Sequence, residues 1–415
     1  MNLEEKIKDR IRKQGPITFA EFMGMALYDA EEGYYRHPER RIGPQGDYFT
    51  SPDSHPVFAA LIARQVEQMW RLIGEPPAFD VVEFGAGKGL LARDFLTCAR
   101  DALLPFYEAL TYTIVDPAEP AVAVLEKAGV AAKVRWHSPS EAFAPGSLRG
   151  CVLSNELLDA LPVHRVLMQG GQLKEVYVGL SDNEFVDVIG VLSTPLLADY
   201  FKRLGILPAE GCQAEVNLAA LEWVGSVAEA LKQGFVLTID YGYPAQEMYS
   251  PKRCRGTLMG YYQHQPVDNP YLNAGQQDLT AHVDFTSIIA EGAGYGLKTI
   301  DITSQRDFLL NLGLSAFVDA LSTTSLSQAL HYANRYAMME LVRPEGLGGF
   351  VVLAQAKGVE APQLDGFIRD NLTKKALLAQ KSSLRVPLLG EEYTPLLRGR
   401  YPHLAWDWEG LLSED

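Results

Sequence analysis

The sequence predicts an α/β protein built on a doubly wound, mostly parallel sheet, and three observations predict it. First, Phe79-Asp80-Val81-Val82-Glu83-Phe84 is an apolar strand running into Gly85-Ala86-Gly87-Lys88-Gly89, with a helix opening at Leu90. Alternate glycines let a backbone turn sharply and let a ligand come close to it. The new helix then points its N–H groups at whatever fills the turn. Second, apolar strands alternate with amphipathic helices from Phe79 onward, the pattern of a parallel sheet. Third, successive strands end in polar residues at Glu83, Asp116, Asn155-Glu156 and Asp240. Open parallel sheets bind ligands past the carboxyl ends of their strands.

The elements follow in order. Leu3 to Arg12 places Leu3, Ile7 and Ile11 on one helical face. Thr18 to Leu27 reads as a second helix, with Thr18 and Glu21 spaced as a capping box. Residues 29–53 are dense in aromatics and turn formers, so they form an ordered loop. Val57 to Ile73 is a helix stopped by Gly74 and Pro76-Pro77. After the glycine turn, Leu91, Phe95 and Ala99 lay a helix on the sheet. Thr111 to Val115, Val134 to His137, Cys151 to Asn155 and Phe235 to Asp240 supply further strands. Ala121 to Ala128 is a helix ended by Gly129. Leu297 to Ile302 and Gly349 to Ala356 complete the sheet, the last as its edge.

The expected organisation is a helical segment with a substrate-side loop over 1–75 and a cofactor-binding core over 76–165. An inserted cap over 166–232 begins with strand-like pieces. The rest of the core, with a long aromatic and glycine-rich loop from Tyr241 to about Asp284, spans 233–358. A tail, helical near Leu364 to Lys381, occupies 359–415. A structureless loop as long as the one after Tyr241 is ordinarily functional or disordered.

The chain has 415 residues, 47% of them hydrophobic, and a formal net charge of -15. Length allows two or three domains. The acidic balance argues against nucleic acid, whose phosphates attract basic surfaces. No apolar run is long enough to span a membrane. The N-terminus carries acids and no apolar core of a signal peptide, so a bacterial cytoplasm is expected. Cys98, Cys151, Cys212 and Cys254 are scattered, which suggests neither a zinc site nor a disulfide framework and fits a reducing compartment.

The glycine turn admits several readings. A P-loop needs Ser or Thr after Gly-Lys, and here Gly89 follows Lys88. A dinucleotide fingerprint needs its third glycine one residue later. A loop for S-adenosylmethionine and a structural turn both remain, and the loop alone does not choose between them. Asp116 fits a ribose diol, since a carboxylate accepts from both hydroxyls; it also fits as a helix cap. Trp136 and His137 fit against an adenine, or Trp136 belongs to the core. Glu156 and Asp159 share one strand-exit loop, where mutual repulsion is costly unless they face a cation. Asp159 alternatively caps a turn. His264, His282, Asp278 and Asp284 match no metal-ligand spacing and read as a hydrogen-bond network, so no metal is expected.

Taken together, these residues resemble the MidA-like methyltransferases, a family that includes a mitochondrial complex I assembly factor. The marks are Gly46-Asp47-Tyr48-Phe49-Thr50-Ser51-Pro52, Glu83 to Gly89, Trp136-His137, Asn155 to Pro162, Asp240 to Tyr243, Arg255 to Leu258, and Asp278 to Phe285. The resemblance spans about residues 15–358. Departures stand at Asp53-Ser54-His55 and at Pro117-Ala118-Glu119. The resemblance implies a seven-stranded, Rossmann-like class I methyltransferase sheet with N-terminal helices and the inserted cap. It implies S-adenosylmethionine in the Gly85 loop, and the strand-exit residues then suggest Glu83, Gly85, Ala86, Gly87, Gly89, Asp116, Trp136, His137 and Asn155 as its contacts. It further implies symmetric dimethylation of an arginine on a complex I subunit or similar protein. The residues then suggest Glu156 and Asp159 as catalytic, with Tyr48, Tyr241, Tyr243, His264 and His282 walling the substrate channel. Two rivals belong to other classes: a cofactor-binding assembly scaffold without turnover, and a small-metabolite methyltransferase.

Overall fold

A computed structural model describes residues 2–36, 50–118, 122–263, 265–368 and 386–389. Seven strands form one sheet: β1 (Phe79–Phe84), β2 (Leu110–Val115), β3 (Val134–His137), β4 (Leu148–Asn155), β5 (Leu231–Asp240), β6 (Lys298–Ser304) and β7 (Val351–Lys357). Their spatial order is β3-β2-β1-β4-β5-β7-β6. The first five run parallel, while β7 is antiparallel to both β5 and β6. The expected α/β fold with a mostly parallel sheet is present. The strand order reverses between β1 and β4, and such a reversal opens a crevice at the carboxyl ends.

The expectation that the last strand forms the edge is corrected. β7 lies between β5 and β6, and β6 is the edge. Val351-Val352-Leu353-Ala354 is apolar on consecutive residues, and Val352, Leu353 and Ala354 are fully buried. β6 exposes Lys298 and Thr299. A strand covered on both faces reads as a continuous apolar run, and an edge tolerates charge.

Helix α1 (Leu3–Gln14) buries Leu3, Ile7 and Ile11 as expected. Helix α2 (Phe19–Tyr28) begins at Thr18, whose hydroxyl accepts the Glu21 N–H at 3.1 Å. The other half of the capping box is absent, because the Glu21 carboxylate takes Arg10 instead at 2.7 Å. Helix α3 (Val57–Leu72) and helix α4 (Leu90–Ala102) cover one face of the sheet, through Phe58, Leu61, Leu91 and Phe95.

Residues 164–216 build a second, antiparallel sheet. His164–Gln169, Gln172–Ser181, Glu184–Gly190 and Gln213–Val216 are joined there by Ile17–Thr18 from the N-terminus. Arg165 ties this sheet to its surroundings, pairing with Asp187 at 2.8 Å, bonding the Tyr271 hydroxyl at 3.1 Å and lying over the Phe19 ring. The segment after Tyr241 is not structureless: it contains short strands at Met259–Tyr262, Gln265–Val267 and Asp278–Thr280.

Cys212 and Cys254 form a disulfide, which overturns the expectation from their spacing. They lie 42 residues apart in sequence. The chain nevertheless brings them together, because Gln213 bridges to Arg255 and its N–H donates to the Cys254 carbonyl at 3.0 Å. The cysteine argument for a reducing compartment therefore falls. Cys151 is buried, and Cys98 is half-buried. The expected tail helix and the start of the helix at Ala121 fall partly outside the described residues. Among the described residues, no helix is long and apolar enough to cross a membrane.

Candidate active site

Past the ends of β1, β2 and β4 lies a cavity. It is lined by Gly85, Ala86, Gly87 and Lys88, by Glu83, Asp116 and Pro117, by Asn155, Glu156 and Leu157, and by Tyr28, Tyr35, Thr50, Pro52 and Asp53. Gly85, Gly87 and Gly89 all have left-handed backbone, with φ of 74°, 53° and 74°. At Gly85 an added Cβ would also sit 3.0 Å from Leu157 Cδ1, so the turn needs glycine twice over. The Gly87 N–H donates to Asp116 Oδ2 at 3.0 Å and the Ala118 N–H to Oδ1 at 2.9 Å. Asp116 thus holds the glycine turn and the turn after β2, and it lines the cavity.

Glu83 is buried and accepts the Tyr112 hydroxyl at 2.7 Å. Burial pushes its carboxyl up to about 8, against the pull of that hydrogen bond. The folded chain thus keeps a proton that the unfolded chain releases in the ordinary carboxylate range. The stability this contributes is present in acid and is lost as pH rises through about 8. Glu83→Gln is expected to flatten the fall in melting temperature of the ligand-free protein between about pH 5 and pH 8. Parallel melting curves for the two proteins would count against the raised carboxyl.

A second cavity adjoins the first and shares Tyr35 and Glu156 with it. Its other walls are Asp159, Tyr241, Tyr261, Asp278, Thr280, His282, Glu345, Gly346 and Phe350. Four carboxyl groups and a set of aromatic rings are suited to a cation. Glu156 has left-handed backbone, with φ of 52°, a conformation that costs a non-glycine residue free energy. Three contacts impose it. Its N–H donates to the Ile239 carbonyl at 2.9 Å, and its Oε1 accepts the Ser51 N–H at 3.1 Å and Asn155 Nδ2 at 3.0 Å. Burial raises its carboxyl to about 8, and neighbouring Asp159 adds to the rise.

Asp159 is buried and accepts the Tyr241 hydroxyl. Burial and the charge of Asp240 hold its carboxyl well above the usual range. Its Oδ1 is buried without a hydrogen-bond partner, as are Asn155 Oδ1 and His282 Nδ1. Orphaned buried polar atoms facing a cavity call for a ligand. His282 is pushed down to about 4 by burial and by Arg253, so it is a neutral ring at pH 7. Beneath the exit loop, Asp240 is fully buried. Its Oδ2 accepts the N–H groups of Leu157, Leu158 and Asp159 at 3.2, 2.9 and 3.4 Å, and its Oδ1 that of Tyr241 at 2.9 Å.

The structure brings together Glu83, Gly85, Ala86, Gly87, Asp116, Asn155 and Glu156 at one cavity, and Glu156, Asp159, Tyr241 and His282 at the other. Gly89 instead caps α4. Trp136 does not line the first cavity: its ring is 38% exposed and its N–H holds the Asp116 carbonyl at 3.1 Å. His137 stacks on Phe143. Tyr243 lies behind His282, stacked on it and covered by Arg253. Asp284 caps the helix Phe285–Gly294 and accepts the Tyr200 hydroxyl. Tyr48 and His264 lie outside the described residues. Sequence reasoning missed Tyr35, Tyr261, Asp278 and Glu345 in the second cavity and Asp53 and Lys88 in the first. Asp278 and Tyr261 carried a signal, being polar residues in short strands of a long loop. Glu345 carried none.

A seven-stranded sheet of this order, with a glycine turn and a strand-exit acid facing one cavity, defines an S-adenosylmethionine-dependent methyltransferase. Comparison with known proteins agrees. A family model described as "Putative S-adenosyl-L-methionine-dependent methyltransferase" matches residues 61–303, and the chain belongs to that family. A Burkholderia thailandensis protein solved with S-adenosyl-homocysteine bound is 33% identical, with a TM-score of 0.78 over 89% of this chain and 96% of that one. A native structure from the same organism is 34% identical, with a TM-score of 0.75. Among curated proteins, the Drosophila melanogaster "Protein arginine methyltransferase NDUFAF7 homolog, mitochondrial" is 29% identical over 88% of this chain and 87% of its own length. The Mus musculus counterpart is 28% identical over 82% of this chain and 80% of its own. S-adenosylmethionine is the cofactor, and the acids and glycine turn of the first cavity fit it.

Proposed function

We propose that this methyltransferase acts on the guanidinium group of an arginine in a protein, and that the second cavity receives that group. The observation that carries the reading is Glu156, which lines both cavities beside Asp159, Asp278 and Glu345. The curated relatives cited above are named protein arginine methyltransferases, which supports the same acceptor. In its finest form the reading is symmetric dimethylation of a respiratory complex I subunit or similar protein.

Bound S-adenosylmethionine supplies an electrophilic methyl group. The chain's own task is to align the acceptor and exclude water. Guanidinium keeps its proton at neutral pH, so a nitrogen lone pair is freed by drawing the charge to the other nitrogens. Glu156 performs this by hydrogen bonding, with Asp159 second. Because both carboxyls are raised in the empty site, an entering cation displaces their protons. Glu83, Gly85, Ala86, Gly87, Asp116 and Asn155 serve the cofactor, and Tyr241 and His282 wall the acceptor channel. Residues 166–232 act as a cap, which agrees with the tie from Arg165 to Tyr271 on the long loop.

Incubation with methyl-labelled cofactor and arginine- or lysine-centred peptides is expected to label the arginine peptides alone. Mass spectrometry of the product is expected to show methyl groups on ω-nitrogens. Label confined to lysine peptides, or to material passing a small-cutoff filter, would remove the arginine reading.

A further inference from the structure

The disulfide joins the antiparallel sheet to the long loop. Cys212 is 5% exposed and directly precedes the strand Gln213–Val216, whereas Cys254 is exposed and follows a turn at Pro251–Arg253. The residues on either side of Cys254 reach the second cavity by two routes. Before it, Arg253 lies over the Tyr243 ring at 3.7 Å, and Tyr243 stacks on His282. After it, the Gly256 backbone passes so close to the strand that an added Cβ would stand 2.1 Å from Glu215 Oε1. Thr257 then donates its N–H and its hydroxyl to Glu215 Oε2 at 2.7 and 3.0 Å. The Thr257 hydroxyl oxygen accepts the His282 N–H at 3.1 Å. His282 is a wall of the second cavity. The Cys212–Cys254 bond therefore fastens residues 253–257 to the strand, beside both contacts that place that wall.

We propose that the Cys212–Cys254 bond is a thiol–disulfide exchange site that sets acceptor affinity, with a dithiol as its co-reactant. This rests on the reading of the second cavity as the acceptor site and goes beyond it by tying that site to redox state. Exchange begins where a thiolate can reach sulfur, and exposed disulfides are the labile ones. Cys254 is the exposed partner, so its Sγ is the atom attacked. The dithiol forms a sulfur–sulfur bond to Cys254 as the bond to Cys212 breaks, and Cys212 leaves as a thiolate that takes up a proton. The second thiolate of the reductant then displaces Cys254, which takes up a proton in its turn. The reductant departs as a disulfide, and its electron pair stays with the two protein thiols. Reduction opens a loop closed across 42 residues, and residues 253–257 are then held by noncovalent contacts alone. They gain freedom, and His282 loses its fixed place. The glycine turn and its bond to Asp116 lie outside these contacts, so the cofactor side is left as it was.

The test compares the full chain oxidised, reduced with dithiothreitol, and carrying Cys212→Ser with Cys254→Ser. Reduction is expected to raise the KM for an arginine peptide by roughly fivefold or more, the scale of a coupling between sites. S-adenosylhomocysteine affinity by calorimetry is expected to stay within about twofold. Hydrogen exchange at the His282 amide is expected to quicken on reduction. Reoxidation is expected to restore both values, and the double serine variant to match the reduced chain under either condition. KM and His282 exchange that do not change on reduction would overturn the switch and leave the bond a structural staple. An equal loss of cofactor affinity would overturn it too, since the bond would then hold the whole fold. So would cysteines at 212 and 254 that still alkylate after oxidation. Arginine peptides unlabelled in every form overturn the acceptor reading instead, and His282 exchange still decides whether the bond governs that wall.

Discussion

Glu156→Gln is expected to slow methyl transfer by roughly 10²- to 10³-fold, the usual cost of removing one preorganised electrostatic partner of a transition state. Affinity for S-adenosylhomocysteine is expected to stay within about threefold of wild type. The substitution is mild on the fold. Glu156 Oε1 accepts two hydrogen bonds, from the Ser51 N–H and the Asn155 amide, and a glutamine oxygen can accept both. What disappears is the negative charge that holds a guanidinium. The pH profile gives an independent readout. Burial sets the Glu156 carboxyl at about 8 in the empty site, so its ionised fraction grows as pH approaches that value. Acceptor affinity should therefore improve between about pH 6 and pH 8 in the wild type and less steeply in the variant, where Asp159 alone of the pair still ionises. Full-rate turnover by Glu156→Gln, with cofactor bound, would take Glu156 out of the reaction.

Asp240→Ala is expected to destabilise the protein by about 3–5 kcal/mol, measured by urea unfolding. Asp240 lines neither of the two cavities; its weight is structural. It accepts four backbone N–H groups, from Leu157, Leu158, Asp159 and Tyr241. Alanine leaves all four in a buried place without an acceptor, and such groups are costly to bury. The same contacts hold the exit loop that carries Glu156 and Asp159, so acceptor turnover should fall together with stability. The balance is not one-sided, because burial raises the Asp240 carboxyl to about 7, which means that its charge is itself held at a cost. The hydrogen bonds are expected to outweigh that cost. A loss below about 1 kcal/mol would show that they do not.

Much of the cofactor side was legible because its signals are local. Gly85, Gly87 and Gly89 announce left-handed turns, and the strand before them and the helix after them lie within a few residues. Asp116 is found by where β2 stops. The cap at Thr18 needed only a three-residue spacing. The order of β6 and β7 was misjudged, although burial was written in the composition of the two strands. The acceptor side was far less legible. Tyr35 lies 243 residues from the Asp278 carboxylate that its hydroxyl reaches, and Tyr241 lies 82 residues from Asp159. No periodicity connects residues so far apart.

By itself the amino-acid sequence determined the α/β sheet, the glycine turn and the exit acids, because strand burial and left-handed backbone are chosen by each residue's own chemistry. Only the tertiary structure decided that Glu156 opens onto two cavities. It also decided that Asp240 serves the exit loop and that Cys212 meets Cys254. These depend on segments that pack together only when the sheet closes, and the energy of a buried charge is set by neighbours that the local sequence does not name.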